Sequence, residues 1–440
     1  MAVLPEVAVY WEKDVETMER GALEALQLER LRDTVRHAVN SPYYGPRLQQ
    51  QGLSADSIRS LADIRALPLT EKQHLRATYP YGMVAVPRDW LVRMHHSSGT
   101  TGMATAVFHT AGDIDRWSNL LARSLYMAGL RPGDVFQNMM GYGLFTGGLG
   151  LHYGAERLGC LVLPTGVGNS HRQVQFMKIF GTTGVHIIPS YALSLVRVFA
   201  EAGIDPVADL PLRIAVLGAE PHSEQARRKI EQAWGVTAFN CYGLSEICGP
   251  GVAFECPQQQ GLHIWEDCHL VEVLDPVTRE PVPEGQRGEL VITTLTREAM
   301  PLLRYCTKDL TAITSAPCPC GRTHRRLARI TGRTDDMLIV KGVNLFPIQI
   351  EQALMGMPEV GQSYLIVIDR ENYVDRLTVQ VEITERMFTG EPAELEALQA
   401  RIAHALREET MVTPRVELVE PGTLPRTEGK AVRVVDKRGD

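Results

Sequence analysis

The residues that decide the fold of this chain form one short loop, His96-Ser97-Ser98-Gly99-Thr100-Thr101-Gly102. Glycine permits backbone conformations that other residues avoid, while hydroxyl and backbone N–H groups donate hydrogen bonds, so such a loop can wrap closely around an anion. Near the other end of the chain, Lys430 can supply a mobile positive charge. Together, the loop and the lysine suggest nucleotide chemistry that is assembled by a domain movement.

The composition of the chain is typical of a globular protein, and its length indicates more than one domain. It has 440 residues, of which 44% are hydrophobic and 22% are charged, and this length exceeds that of a typical single domain. The net charge of −7, without a long block of like charge, argues against a nucleic-acid-binding surface. The chain shows neither a run of 18 apolar residues nor the pattern of a secretory signal, so we expect a cytoplasmic protein without a membrane span.

Apolar strands alternate with helical stretches from about Val92 to Ile313. Buried strands are predicted at residues 160–164, 185–189 and 212–218, and a further strand at 236–240, with helices at 11–40, 174–180 and 223–234. A more β-rich stretch that includes residues 288–294 follows. The apolar face of the first helix is predicted to contain Leu26, Leu28, Leu31 and Val35. Strands that alternate with helices imply an α/β layer with mostly parallel strands, whose ligands bind at the carboxyl ends of the strands.

A second, smaller domain is predicted after the stretch Gly332-Arg333-Thr334-Asp335-Asp336. Strands are predicted at 337–340, 364–368, 377–383 and 416–419, and a helix carries Leu395, Leu398, Ile402 and Leu406 on one face. The predicted domains are therefore residues 1–334 and a compact α+β unit at residues 335–440, within the size range of one small domain.

Taken together, the motifs resemble the adenylate-forming superfamily, and most closely the phenylacetate–coenzyme A ligase family. The strings that carry the resemblance lie at residues 97–102, 142–148, 218–221, 242–246, 261–267 and 332–336, followed by Lys430. The resemblance implies an α/β fold with a large N-terminal domain of mixed sheets and a small mobile α+β C-terminal domain. It implies that ATP and a small aromatic acid form an acyl-adenylate and pyrophosphate, after which the thiol of coenzyme A displaces AMP. It also implies Mg²⁺ as a cofactor and a homodimer.

The resemblance further assigns the residues of the ATP site. The catalytic residues would be Lys430, for adenylation, and Glu246, as a ligand of Mg²⁺, which favours carboxylate and phosphate oxygens. The ATP-binding residues would be Ser97, Ser98, Gly99, Thr100, Thr101, Gly102, Gly218, Ala219, Glu220, Pro221, Tyr242, Gly243, Ser245, Asp309 and Arg333. Among these, Tyr242 would stack on adenine and Asp309 would bind the ribose hydroxyls. The family pattern usually has a lysine after the loop, where this chain has Met103, so the loop lacks one phosphate-facing cation.

The resemblance also implies an acyl pocket and a hinge. Tyr142, Phe145, Gly147 and Gly148 would form one wall of the pocket, with Ala219 opposite, and aromatic rings facing small residues leave a flat slot that suits an aryl ring. Asp335 would be the hinge about which the small domain rotates, bringing the hairpin around Val343 to the thiol tunnel.

Four residues have the chemistry of a metal site, which the resemblance to the family does not itself imply. Cys256, His263, Cys318 and Cys320 would form a closed set of three sulfur ligands and one nitrogen ligand, which suits structural Zn²⁺. Cys268, Cys306 and His324 are potential substitutes within this set. The alternative is a group of free thiols that lie near one another.

Several functions remain open at this stage. Phenylacetate is the favoured acid, and anthranilate, benzoate or a hydroxybenzoate in a biosynthetic pathway is the alternative. The adenylate could also pass to a carrier protein instead of free coenzyme A. A non-catalytic nucleotide-binding protein is disfavoured, because Lys430, Glu246 and Asp309 are all retained.

Overall fold

The computed structural model of the chain describes residues 9–97, 105–340, 343–371, 374–388, 391–425 and 431–438. The helices are α1 Lys13–Glu16, α2 Arg20–Ala38, α3 Tyr44–Gln50, α4 Lys72–Ala77, α5 Ala111–Met127, α6 Thr146–Leu158, α7 Ser170–Phe180, α8 Pro189–Glu201, α9 Pro206–Asp209, α10 Glu224–Trp234, α11 Pro347–Met355, α12 Glu385–Phe388 and α13 Pro392–Thr410. The strands are β1 Leu91–His96, β2 Ala106–Thr110, β3 Val135–Asn138, β4 Leu161–Leu163, β5 Gly184–Ile187, β6 Ile214–Leu217, β7 Thr237–Tyr242, β8 Ala253–Glu255, β9 Leu262–Ile264, β10 His269–Leu274, β11 Gly288–Thr294, β12 Tyr305–Thr311, β13 Ile313–Thr314, β14 Arg326–Leu327, β15 Leu338–Val340, β16 Val343–Leu345, β17 Val360–Glu371, β18 Val374–Ile383, β19 Arg415–Val419 and β20 Val434–Asp436.

The chain forms two compact units. The first comprises Met1–Gly166, Thr183–His186 and Phe239–Arg329, and the second comprises Val167–Thr182, Ile187–Ala238 and Ile330–Asp440. The domain boundary that the sequence suggests, between residues 334 and 335, stays a prediction. None of the described helices is both long enough and apolar enough to cross a membrane.

The first unit contains parallel and antiparallel strands. Strand β3 pairs in parallel with β4 and with β5, whereas β7, β8, β9, β14 and β13 pair in antiparallel order. Strands β10, β11 and β12 form a separate antiparallel sheet, and β11 is buried along its whole length. This mixture confirms the predicted mixed sheets, and it places antiparallel strands where the alternation alone favoured parallel ones.

Helices α5 and α6 of the first unit approach closely because one face of α6 is made of glycines. A Cβ atom at Gly150 would lie 2.3 Å from the Trp117 ring, and one at Gly154 would lie 2.5 Å from the Cβ of Leu121. Real side-chain atoms do not approach so closely, since protein interiors are already close-packed. The start of α6, which carries part of the predicted acyl pocket, is therefore held firmly against α5.

The second unit includes a four-stranded sheet near the C-terminus. Strands β17 and β18 are antiparallel, and each pairs in parallel with an outer strand, β20 and β19 respectively. The buried face of α13 contains Leu398, Ile402 and Leu406, as its helical spacing predicts, together with Thr410, whereas the predicted Leu395 is only partly buried. Strands β15 and β16 form the predicted hairpin, in which Val340 pairs with Val343.

The predicted elements are largely confirmed, with three informative differences. Strand β4, predicted as buried, lies at the edge of its sheet, where Leu161 is exposed and Val162 and Leu163 are only partly buried. Helix α7 begins at Ser170, earlier than the predicted residue 174, because the Asn169 side chain caps it by accepting from the N–H of Arg172. The buried face of α2 contains Leu23 and Gln27 in place of Leu26 and Leu28, which are only partly buried. The spacing of apolar residues cannot predict that a polar residue belongs to the buried face. Gln27 can be buried because its amide donates to the carbonyl of Glu266.

Candidate active site

The two ends of the predicted phosphate loop meet at a buried acidic side chain. Ser97, at one end, and Thr105, just beyond the other, have their hydroxyl oxygens 2.6 Å apart. The Thr105 hydroxyl donates to the Glu246 carboxylate at 3.3 Å, and all three residues are buried. The fold thus brings together two of the predicted site residues, Ser97 and Glu246. The remaining loop residues lie outside the described part of the chain, as does Lys430; these loop residues are Ser98, Gly99, Thr100, Thr101 and Gly102.

A lysine that sequence reasoning missed lies beside the same carboxylate. The Nζ atom of Lys72 is 3.3 Å from an oxygen of Glu246, and about a third of its side chain is exposed, at 35%. Lys72 begins α4 directly after an anchored stretch, in which the N–H of Thr70 donates to the carbonyl of Arg304 and its carbonyl accepts from the N–H of Cys306. The structure therefore provides a cation next to the loop that has Met103 where the family usually has lysine.

A second missed residue fixes the backbone of Glu246. The buried guanidinium of Arg297 donates to the carbonyl of Glu246 at 2.6 Å and to the carbonyl of Phe108, on β2, at 2.9 Å. Hydrogen bonds from a charged donor are stronger than those between neutral groups. Arg297 therefore joins the turn that carries the acid to the strand that follows the phosphate loop.

The aromatic and acidic residues assigned to the nucleoside are neighbours. The hydroxyl of Tyr242, at the end of β7, donates to the Asp309 carboxylate, on β12, at 2.6 Å, and both residues are buried. The Asp309 backbone N–H donates to the Thr307 hydroxyl at 3.1 Å, which helps to fix the strand at that point. A carboxylate has acceptor sites for more than one donor, so it can also accept from a ligand.

The turn after Tyr242 depends on close backbone contacts. A Cβ atom at Gly243 would lie 2.6 Å from the Cα of Gly249, so only glycine fits there. Ser245 follows in a short 3-10 turn, and its hydroxyl is 3.1 Å from the hydroxyl of Thr146 at the start of α6. The segment assigned to ATP is thus joined to the segment assigned to the acyl group.

The predicted acyl wall is organised around a buried asparagine. The amide of Asn138 donates to the Tyr142 hydroxyl at 2.8 Å and to the carbonyl of Gly148 at 2.7 Å. Burial raises the pKa of Tyr142 to about 12, so the phenol stays neutral. Phe145 is half exposed. The other acyl-pocket glycine is Gly147, where a Cβ atom would meet only the end of a methionine side chain, at 3.5 Å.

The stretch Gly218-Ala219-Glu220-Pro221 belongs to the second unit and directly follows β6. Ala219 has a φ angle of 71°, a conformation that costs free energy for a residue with a Cβ and that concentrates at functional sites. The Glu220 carboxylate accepts from the N–H of Ser190 at 2.6 Å and from the N–H of Ala431 at 3.3 Å. Glu220 is therefore bonded to the residue that follows Lys430 in the chain.

Two further predicted residues of the second unit interact directly with each other. The Arg333 guanidinium donates to both carboxylate oxygens of Asp335, at 2.9 and 3.2 Å. Two hydrogen bonds thus join Arg333, which is assigned to the nucleotide, to Asp335, which is assigned to the hinge.

The four predicted metal ligands converge in the first unit. One ligand atom from each of Cys256, His263, Cys318 and Cys320 lies within 4.8 Å of every other. The three proposed substitutes are not part of this cluster. Cys306 packs in the core with Leu274 and Val291, the Cys268 thiol lies 3.4 Å from the carboxylate of Asp267, and the ring of His324 bonds to backbone groups.

Comparison with known proteins identifies the family. A family model described as AMP-binding enzyme matches residues 37–296, and one described as AMP-binding enzyme C-terminal domain matches residues 342–438. A phenylacetate-coenzyme A ligase from Thermus thermophilus is 47% identical over 97% of this chain and 99% of its own length. One from Aromatoleum evansii is 45% identical over 97% of both chains.

A solved structure agrees with these relatives. A crystal structure of 2-hydroxyisobutyryl-CoA ligase in complex with 2-HIB-AMP is 32% identical and has a TM-score of 0.93, with 99% of this chain and 94% of that chain covered. The sequence relatives, the family models and this structure lead to one conclusion: the chain belongs to the phenylacetate–coenzyme A ligase family, whose members are AMP-forming acid–thiol ligases of the adenylate-forming superfamily.

Proposed function

We propose that the acid this enzyme activates is phenylacetate or a close aryl relative, and that the residues of the candidate site carry out both half-reactions. The observation that supports this most strongly is the buried cluster of Ser97, Thr105 and Glu246, with Lys72 beside it. It puts a carboxylate and an ammonium group at the base of the loop that resembles a phosphate cradle. Relatives named phenylacetate-coenzyme A ligase, 42–47% identical over at least 96% of this chain, support the choice of acid.

In the first half-reaction, a carboxylate oxygen of the acid attacks the α-phosphorus of ATP, the bond to the bridging oxygen breaks, and pyrophosphate leaves. Two anions approach each other in this step, so cationic groups stabilise the transition state. Lys430 is assigned this role, with Lys72 near the phosphates. Glu246 would hold Mg²⁺, which supplies positive charge to the phosphate oxygens when it is bound.

The nucleoside and the acyl group have separate binding residues in this proposal. Tyr242 stacks on adenine, Asp309 accepts from the ribose hydroxyls and Arg333 binds nearby, while Gly218, Ala219, Glu220, Pro221, Gly243 and Ser245 line the nucleotide. The aryl group binds beside Tyr142, Phe145, Gly147 and Gly148. In the second half-reaction the sulfur of coenzyme A attacks the acyl carbon, its proton is lost to solvent or a base, and AMP leaves.

The remaining features of the proposal concern the whole protein. Residues 335–440 rotate about Asp335 between the half-reactions, the protein is a cytoplasmic homodimer, and the structural Zn²⁺ takes no part in the chemistry.

The experiment that tests the acid compares kcat/KM for phenylacetate, benzoate, anthranilate and 4-hydroxybenzoate in the presence of ATP, Mg²⁺ and coenzyme A. A polar ring substituent in an apolar slot loses water without a partner, which costs about 1–3 kcal/mol, or on the order of tenfold to a hundredfold in kcat/KM. We therefore expect phenylacetate to be preferred over anthranilate and 4-hydroxybenzoate by at least about tenfold. A higher kcat/KM for anthranilate or a hydroxybenzoate would favour the biosynthetic alternative. Acyl transfer only to a carrier protein would exclude free coenzyme A as the acyl acceptor.

A further inference from the structure

The Cys/His cluster has the dimensions of a tetrahedral metal site. The sulfur atoms of Cys256 and Cys318 are 3.7 Å apart, and the sulfur of Cys320 is 3.3 Å from Nε2 of His263. In a tetrahedral zinc site the Zn–S bonds are about 2.3 Å and the Zn–N bonds about 2.0–2.1 Å, so neighbouring ligand atoms are roughly 3.5–3.8 Å apart. These two distances are therefore close to the spacing that one zinc ion needs, and all four ligand atoms lie within 4.8 Å of one another.

The histidine of the cluster is oriented as a metal ligand. Nδ1 of His263 is 3.1 Å from the carbonyl oxygen of His324, an acceptor only, so Nδ1 carries the proton and donates. Nε2 then has a free lone pair, and this is the atom that faces Cys320. Metal-bound histidines usually donate their other ring N–H to such a second partner, which fixes the tautomer and the ring orientation. This bond is evidence for a ligand that is independent of the clustering of the thiols.

The elements that carry the four ligands are joined by strand pairing. Cys256 directly follows β8, and His263 lies on β9, where it pairs with Phe254 of β8 on one side and with Arg326 of β14 on the other. The remaining two ligands lie in the turn Cys318-Pro319-Cys320-Gly321, which is closed by a hydrogen bond from the N–H of Gly321 to the carbonyl of Cys318 at 3.0 Å. A metal ion would therefore fix this turn, which precedes β14, to the edge of β8 and β9.

The same turn also contacts the first described residues of the chain. The Tyr10 hydroxyl donates to the carbonyl of Cys320 at 3.0 Å, and a Cβ atom at Gly321 would lie 2.3 Å from the Tyr10 oxygen. Arg322, directly after the turn, forms a fully buried ion pair with Glu16 at 2.7 Å.

Two further residues after the turn extend this attachment. The backbone N–H of Thr323 donates to the carbonyl of Glu16 at 3.1 Å, and its hydroxyl donates to the carbonyl of Met18 at 2.6 Å. Nε2 of His324 is 2.9 Å from the carbonyl of Val15 and donates to it. Residues 10–18 are thus attached to the chain on the C-terminal side of the cluster by a continuous series of polar contacts.

We propose that Cys256, His263, Cys318 and Cys320 bind one structural zinc ion, and that this ion holds the turn 318–321 in the shape that fastens residues 10–18 to the first unit. Four protein ligands leave no open position for water or substrate, so the ion is structural and not catalytic. The ligands fold into place together with the metal, so its removal should loosen the N-terminal segment before it affects the chemical step.

The first test measures the metal content of protein purified without added zinc. We expect about one Zn²⁺ per chain in the wild type and in Cys160→Ser, and almost none in Cys318→Ser/Cys320→Ser. Cys160 is a suitable control because it is a buried cysteine of the same unit whose thiol faces the carbonyl of Arg131 and not the four proposed ligands. No zinc in the wild type, or equal zinc in the double variant, would overturn the site.

The second test follows hydrogen exchange of residues 10–18 in the wild-type protein before and after removal of zinc by a strong chelator. We expect exchange in this segment to become at least about tenfold faster, and to return to its original rate when Zn²⁺ is restored. Unchanged protection in the zinc-free protein would refute the fastening role. If the double variant does not fold, replacement of zinc by Co²⁺ in the wild type gives the same decision, because a tetrahedral thiolate site produces intense visible and near-ultraviolet absorption. Absence of these bands would overturn the ligand set.

Discussion

Lys72 and Glu246 form an ion pair with a nitrogen-to-oxygen distance of 3.3 Å, beside the described ends of the loop that resembles a phosphate cradle. The family usually has a lysine where this chain has Met103. We infer that Lys72 supplies cationic charge to the phosphates from a different element, the start of α4.

This inference gives the first prediction. Lys72→Met keeps most of the side-chain length but removes the charge, and loss of one preorganised cation or donor at a developing charge typically costs about a hundredfold or more in rate. We expect adenylation to slow by about that factor and the KM for ATP to rise, with the KM for coenzyme A unchanged. Lys178→Met, on an exposed lysine of α7, is the control, measured by acid-dependent exchange of pyrophosphate into ATP. Wild-type exchange rates in Lys72→Met would show that Lys72 has no role at the phosphates.

The second prediction concerns the two adjacent glycines of the acyl segment. A Cβ atom at Gly148 would lie 2.5 Å from the carbonyl oxygen of Gly141, whereas one at Gly147 would meet only the end of Met140 at 3.5 Å. Overpacking against backbone costs about 1–3 kcal/mol, while an alanine that fits a helix gains up to about 1 kcal/mol over glycine. Gly148→Ala should therefore lower the free energy of unfolding and Gly147→Ala should not, as measured by denaturant titration. Equal stability of the two variants would contradict the close approach at Gly148.

The third prediction compares Lys430 with Glu220, whose carboxylate accepts a hydrogen bond from the N–H of Ala431, the residue directly after Lys430. Lys430→Ala should slow adenylation by about a hundredfold or more, with much less effect on the transfer of a supplied acyl-adenylate to coenzyme A. Glu220→Gln loses one of two backbone hydrogen bonds, to Ser190 or to Ala431, and such a bond contributes about 0.5–1.5 kcal/mol. It should slow the same half-reaction by roughly twofold to tenfold.

The control for this comparison is Glu201→Gln, an exposed glutamate at the end of α8 in the same unit. It should leave both half-reactions at the wild-type rate. Equal slowing of both half-reactions by Lys430→Ala would contradict a role of the lysine in adenylation alone.

The fourth prediction is a loss of stability in acid. His186 is buried, its Nδ1 donates to Asn138 at 3.0 Å, and burial lowers its pKa to about 3. Burial also lowers the pKa of His95 and His269 to about 4, and that of His109. An unfolded histidine binds a proton at a pH of about 6.5, so the unfolded chain binds more protons than the folded one below that pH. Stability is therefore fully present above a pH of about 6.5 and is lost as the pH falls toward 3.

The contribution of His186 to this loss of stability can be measured separately. Each such histidine contributes up to about 1.4 kcal/mol of stability loss per pH unit. His186→Asn retains a donor toward Asn138 but does not titrate, so its free energy of unfolding should fall less steeply between pH 6.5 and 4.5. His171→Asn, on an exposed histidine, should keep the wild-type slope. If all three proteins show the same slope, His186 does not control the acid sensitivity.

The regular elements could be predicted where local pattern and tertiary packing agree. Strand β11 coincides with residues 288–294 of the β-rich stretch, because Leu290, Val291 and Ile292 and the threonines that follow them favour a strand. The α2 face was mispredicted, because the buried Gln27 is polar and its partner is the distant Glu266 backbone. Periodicity reports only apolar burial and cannot anticipate such bonds.

The residues of the candidate site also fall into two groups: those that a sequence motif marks, and those that only the fold brings to the site. The resemblance to the family predicts roles for Tyr242 and Asp309, and the structure adds that they are hydrogen-bonded to each other. Lys72 and Arg297 carry no motif, so only the fold could bring them to Glu246. Residue type predicts the class of the proposed metal site, since few chemistries use three thiols and an imidazole, but only the fold separates Cys256, His263, Cys318 and Cys320 from their potential substitutes.

The central claim is that this enzyme forms an acyl-adenylate and then an aryl thioester. The most direct measurement follows the products from ATP, Mg²⁺, coenzyme A and phenylacetate over time. We expect one AMP, one pyrophosphate and one phenylacetyl-coenzyme A for each ATP consumed, and accumulation of the acyl-adenylate when coenzyme A is left out. Formation of ADP and phosphate in place of AMP and pyrophosphate would contradict the account.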